Sequence, residues 1–132
     1  MREDQYLFDT HALIFWHNRV NVSEDFIEFF DQQEQNGTLH LSSISFWEIA
    51  LLVKRSRVEI SDVHVWKNEL MSNTNIRMLE PSASEMIDST MLPDHHKDPF
   101  DRLLIAQANH HGLILVTQDQ DIIKYRVKHF WR

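Results

Sequence analysis

The feature that most constrains this fold is the recurrence of short apolar strand segments separated by helical patterns. Tyr6-Leu7-Phe8, Thr38 to Leu41, Ile76 to Leu79 and Leu113 to Val116 are each too short and too apolar to be amphipathic helices. Between them lie segments with helical spacing and start signals: His11 to His17, Ser23 to about Asn36, Phe46 to about Arg55, Val63 to Ser72, and Ser84 to Met91. Strands alternating with helices specify an α/β domain with a mainly parallel sheet covered on both faces. Tyr125 to Trp131 is expected to add an edge strand. With 132 residues and no repeat or linker, the chain reads as one domain, residues 1–132.

Asp98-Pro99-Phe100-Asp101-Arg102-Leu103-Leu104-Ile105-Ala106-Gln107-Ala108 opens one further helix, which ends at Gly112. Asp98 is a capping residue and Pro99 fits the first helical position. From Asp101, the residues Leu104, Ile105 and Ala108 recur at i+3, i+4 and i+7, so a carboxylate lies in line with a core-facing stripe. An unpaired buried carboxylate is unfavourable, so a lysine, an arginine or a metal should meet it.

Composition removes several functions. No cysteine is present, which excludes disulfides and thiolate catalysis and fits a reducing, cytoplasmic setting. The longest uninterrupted apolar runs are five residues, so no membrane span is expected, and the N-terminal residues carry no signal-peptide core. Two glycines cannot build a GxGxxG or Walker-type phosphate loop. Thirteen basic against twenty acidic residues give a net charge of −7, so a polyanionic substrate would require bound cations or a local basic patch.

In open parallel sheets the ligand crevice lies at the carboxyl ends of the strands. Asp9 follows the first strand, Asp119 follows the fourth, and Glu48 sits early in the helix after the second, so topology gathers these three. Asp101 opens a helix that leads into a strand, and topology alone is expected to place it at the far edge. Each acid has a local explanation as well. Ser45-Phe46-Trp47-Glu48 and Ser82-Ala83-Ser84-Glu85 both have capping-box spacing, Asp101 is a first-turn acid, and Asp9-Thr10 and Thr117-Gln118-Asp119 suit Asx turns or caps. On spacing, Glu85 competes with Glu48. Carboxylates gathered in one cleft raise one another's pKa unless cations intervene, and oxygen ligation suits Mg²⁺ or Mn²⁺.

Other chemistries are weaker. His95-His96 and His110-His111 are adjacent pairs without HExxH spacing and are assigned to surface or capping roles rather than zinc. No GxSxG elbow is present. Phenylalanines and tryptophans at helical spacing are assigned to the core. Two basic segments remain as phosphate-contacting candidates: Lys124, Arg126, Lys128 and Arg132 among aromatics, and Lys54, Arg55 and Arg57 beyond the Glu48 helix. For the first segment a charged edge strand is the preferred explanation, and for the second a solvated helix end is the structural alternative.

Four blocks, read in order, resemble the PIN-domain ribonucleases, most closely the VapC-like toxins: Leu7 to Leu13, Ser42 to Ala50, His96 to Ala108, and Leu115 to Asp119. The resemblance implies a three-layer α/β/α fold with about five central strands. It implies that Asp9, Glu48 and Asp101 are the core acids and Asp119 the fourth, all serving as metal ligands. Thr10 and Thr117 would be hydroxyls near the metal or its waters. It brings the Asp101 helix to the acidic cleft and ranks Glu48 over Glu85, with Asp98 a cap and Asp121 peripheral. The implied activity is Mg²⁺- or Mn²⁺-dependent endonucleolytic hydrolysis of RNA by a homodimeric toxin silenced by a cognate antitoxin. A non-catalytic PIN-like module that holds RNA or protein is the alternative. A metal-dependent phosphatase or DNA nuclease would use the same carboxylates.

Overall fold

The computed structural model describes residues 3–132. Its elements run β1 (Tyr6–Phe8), α1 (Thr10–Asn18), α2 (Glu24–Asn36), β2 (Leu39–Ser42), α3 (Ser43–Lys54), α4 (Val63–Asn73), β3 (Arg77–Leu79), α5 (Ala83–Thr90), α6 (Pro99–His111), β4 (Ile114–Val116), a 3-10 turn (Ile122–Lys124) and β5 (His129–Phe130). The five strands form one sheet in the order β3-β2-β1-β4-β5, and every pairing is parallel. The expected edge strand is therefore present but only two residues long.

Strand alternation sorts the core into two layers. Tyr6 and Phe8 of β1 point to one face, where they meet Leu13, Phe26, Phe30, Phe46, Ile49 and Leu70 from α1 to α4. Leu7 points to the other face and packs with Leu104, Ile105, Ala108, Ile122 and Tyr125. The result is a three-layer α/β/α arrangement. Within the first layer the rings are tightly engaged; Phe26 and Phe30 have centroids 4.6 Å apart.

The chain moves from β1 outward to β2 and β3, then returns to β1's other side with β4. The strand order thus reverses between β1 and β4, and a crevice opens there at the carboxyl edge. α6 lies antiparallel to the sheet. Gly112, at φ +64°, ends it in the left-handed conformation and turns the chain directly into β4. Thirteen helical residues carry its N-terminus about 20 Å back to the carboxyl edge. The expectation that topology puts Asp101 at the far edge is wrong: an antiparallel helix starts at the carboxyl edge whether it follows a strand or leads into one.

A candidate metal centre at the sheet switch point

Asp9, Glu48, Asp101 and Asp119 line one cleft of about 310 Å³, together with His11, Phe15, His96, Asp98 and Gln118. Asp9 directly follows β1 and caps α1, accepting the Ala12 N–H on Oδ1 at 2.7 Å. Asp119 follows β4 and accepts the N–H groups of Asp121 (2.8 Å) and Ile122 (3.3 Å) on Oδ1. Asp98 caps α6, accepting from Phe100 (2.8 Å). One helical turn into α6 stands Asp101, whose Oδ2 lies 2.7 Å from His96 Nε2. The same imidazole nitrogen is 3.6 Å from Asp119 Oδ2.

Glu48 reaches the cleft for a different reason. The cap of α3 is Ser42, ahead of both Ser43 and Ser45, the two expected starts, so the Ser45–Glu48 capping box does not form. Glu48 is freed from the helix end, and its buried Oε1 has no hydrogen-bond partner. Ser45 instead accepts a buried hydrogen bond from the Thr10 hydroxyl at 3.0 Å. The competing box at Ser82–Glu85 does form, with both reciprocal hydrogen bonds, and occupies Glu85 far from this cleft.

The electrostatics match the crowding. Burial, above all, raises the Asp9 pKa to about 6; the Thr117 hydroxyl and Ala12 N–H oppose the shift and Glu48 adds to it. Asp101 rises to about 7, chiefly by burial and then by the Asp98 charge, with His96 opposing and Asp9 and Glu48 reinforcing. Burial also raises Glu48, with the nearby Thr10 hydroxyl opposing the shift. Among the described residues, no lysine or arginine lies within 4 Å of any of the four acids. Thr117 joins two of them: it accepts the Asp119 N–H at 3.1 Å and lies beside Asp9.

Three placements depart from the sequence reading. His96 is neither a surface nor a capping residue but part of the acidic cluster; His96, Asp98 and Asp101 present ligand atoms within 4.8 Å of one another. Trp47 is not core: it is 61% exposed and meets Phe100 edge-on at 5.1 Å. Ser45, expected as the capping-box partner of Glu48, instead accepts from the Thr10 hydroxyl. Asp121 is half-buried and paired with Lys124 at 3.0 Å. The segment that carries His96 is held by Arg102, whose guanidinium donates to the carbonyls of Leu92 (2.8 Å), Pro93 (3.0 Å) and His96 (3.1 Å).

A doubly wound parallel sheet with carboxylates converging at its switch point defines the class: an acidic-cleft α/β/α domain. The PIN-domain family model matches residues 6–128, and the chain belongs to that family. Its relatives include Ribonuclease VapC22 of Mycobacterium tuberculosis, 29% identical over 126 residues that cover 91% of each chain. Among solved structures it is similar to VapBC2 from Rickettsia felis bound to a promoter DNA fragment (TM-score 0.71, 15% identity, 96% of this chain and 97% of that one). PAE2754 from Pyrobaculum aerophilum is also similar (TM-score 0.63, 21% identity, 97% and 89%). Among the described residues, no helix is long and apolar enough to cross a membrane.

Proposed function

We propose that this chain is a metal-dependent endoribonuclease, the toxin of a toxin–antitoxin pair, with Asp9, Glu48, Asp101 and Asp119 as its metal-holding acids. Membership of the PIN family and the likeness to a ribonuclease support the nuclease class. One observation carries the site: these four carboxylates line one cleft in which His96 is the one basic neighbour within 4 Å among the described residues, with no lysine or arginine, and one buried oxygen of Glu48 is left unsatisfied. Such an arrangement is unfavourable by itself and becomes favourable around a divalent cation.

The donor set fits Mg²⁺ or Mn²⁺, being mostly carboxylate oxygen. When bound, such an ion supplies Lewis-acid polarisation of the phosphate and a nucleophilic water near neutral pH. Asp9, Glu48 and Asp101 would hold it, with Asp119 at the rim. Thr117 fixes the separation of Asp9 from Asp119, and Thr10, tied to Ser45, orients the Glu48 side. His96 Nε2, 2.7 Å from Asp101 Oδ2, orients that carboxylate.

The test is cleavage of single-stranded RNA in Mn²⁺, with single-stranded DNA and a phosphomonoester as comparison substrates. Asp9→Asn and Asp101→Asn should each reduce kcat at least 100-fold while the circular dichroism spectrum is retained. Cleavage that survives excess EDTA or both substitutions refutes the reading. A non-catalytic module would instead show no Mn²⁺ binding that depends on Asp9 and Asp101. The solved complexes of similar fold support a cognate antitoxin as partner. A homodimeric state and a cytoplasmic location belong to the same proposal.

A further inference from the structure

A second pocket, of about 490 Å³, adjoins the acidic cleft and shares two of its walls, His11 and Phe15. Its other side includes Asn18 at the end of α1, Asn21 in the loop that follows, and Arg57 and Glu59 beyond α3. The loop carrying Arg57 is set rather than loose. Ser56 sits at φ +57°, and the Arg57 N–H donates to Leu52 O at 2.9 Å. Lys54, Arg55 and Arg57 are all exposed, and none has a carboxylate within 4 Å among the described residues.

Topology separates this basic group from the other one in the sequence. Arg126 and Lys128 lead into β5, whose start lies at the amino edge of an all-parallel sheet, opposite the cleft. Lys124 is paired with Asp121, and Arg132 with Asp25 at 2.6 Å. Of these two groups, the one at the end of α3 combines unpaired cations with a pocket continuous with the acids, among the described residues. From Glu48 to Arg55 the axis of α3 covers about 10 Å, a length of roughly three stacked nucleotides.

We propose that single-stranded RNA leaves the acidic cleft over His11 and Phe15, places a base in this second pocket and sets its phosphates against Lys54, Arg55 and Arg57. Phe15 supplies a stacking face, and the amides of Asn18 and Asn21 supply donors and acceptors for a base edge. A chain with net charge −7 has no general attraction for RNA, so a local cation row of this kind supplies it. The inference rests on the ribonuclease reading for its substrate class, but its readout is binding rather than turnover.

The experiment compares two triple variants of equal charge change: K54A/R55A/R57A and K124A/R126A/K128A. Affinity for a fluorescently labelled single-stranded RNA decamer is measured by anisotropy at several salt concentrations. The first triple should bind at least tenfold more weakly than wild type and lower the log–log salt slope by about 2, as expected for three lost phosphate contacts. The second should stay within about threefold of wild type. Equal weakening of both triples, or of neither, overturns the path, including the case where the pocket takes a peptide. A decamer carrying 4-thiouridine should photo-crosslink to Phe15, Asn18 or Asn21; crosslinks confined to other regions also overturn it. If RNA binds in this charge-dependent way but is never cleaved, the catalytic reading fails and the path stands.

Discussion

Neutralising Asp9 should make the metal-free protein more stable while destroying its activity. Asp9 is only 7% exposed, and its pKa is raised from the ordinary 3.8 to about 6, mainly by burial. A shift of about 2 units corresponds to about 3 kcal/mol of unfavourable free energy for the ionised form in the native state. The sign follows from the native pKa lying above the unfolded one. The destabilisation is complete above about pH 6, shrinks between pH 6 and 4, and vanishes below about pH 4. Asparagine keeps the oxygen that caps α1 through Ala12 N–H, so Asp9→Asn removes charge and little else. Because Glu48 and Asp101 retitrate in response, the gain should be about 1–3 kcal/mol at pH 7.5, or roughly 4–10 °C in Tm for a chain of this size. Thermal unfolding in EDTA at pH 4.5, 6.0 and 7.5 measures it. A variant no more stable than wild type at pH 7.5, or a gain that does not shrink at pH 4.5, would refute the electrostatic account.

Three further outcomes are expected. With Asp101 raised to about 7, protons compete with the cation below neutrality; Mn²⁺ affinity by calorimetry should fall about tenfold from pH 8 to pH 6, and Asp101→Asn should abolish that dependence. Arg102→Ala removes a guanidinium that ties Leu92, Pro93 and His96, so it should lose about 2–3 kcal/mol in urea unfolding and lower kcat by displacing His96. Gly112→Ala places a Cβ at φ +64° with open space around it, so the loss in urea unfolding should be only about 1 kcal/mol and cleavage should be unchanged.

Much of this architecture was legible because the strands and helices follow different hydrophobic periods. Leu7 against Tyr6 and Phe8 already specifies a strand buried on both faces, and the Ser23, Asp98, Gly37 and Gly112 caps stand where the sequence places them. What failed was local. The Ser45 capping box is sound by spacing, but Ser42 starts the helix earlier because β2 ends at that residue. His96 carries no mark of its role in sequence; it enters the cleft because Arg102 binds three carbonyls of the segment around it, a contact between a helix and its own preceding loop. Trp47 obeys the helical spacing of a core residue yet faces outward, since α3 turns Phe46 and Ile49 inward instead. The distance of Asp101 from the other acids was misjudged from topology, and the antiparallel run of α6 corrects it.

The capping roles of these acids and the metal-holding roles proposed for them are not competing explanations. Asp9 and Asp119 each give Oδ1 to backbone N–H groups at the start of a helical turn, and Asp98 does the same for α6. A capped carboxylate has its rotamer fixed, so its second oxygen points in a set direction at no further entropic loss. For Asp119 that second oxygen lies 3.6 Å from His96, on the cleft side. Strand ends at a switch point need caps, because the N–H groups of the next helix start there unpartnered. Aspartate in that position therefore starts the helix and, in Asp119, turns its second oxygen toward the crevice, with a rigidity that a glutamate on a long side chain lacks. Glu48 is the exception: its buried Oε1 has no hydrogen-bond partner, so under the proposed reading it is the acid whose geometry would most depend on a bound cation. Glu48→Gln should accordingly weaken Mn²⁺ binding by at least tenfold while leaving α3 intact by circular dichroism; unchanged affinity would place the cation on the aspartates alone.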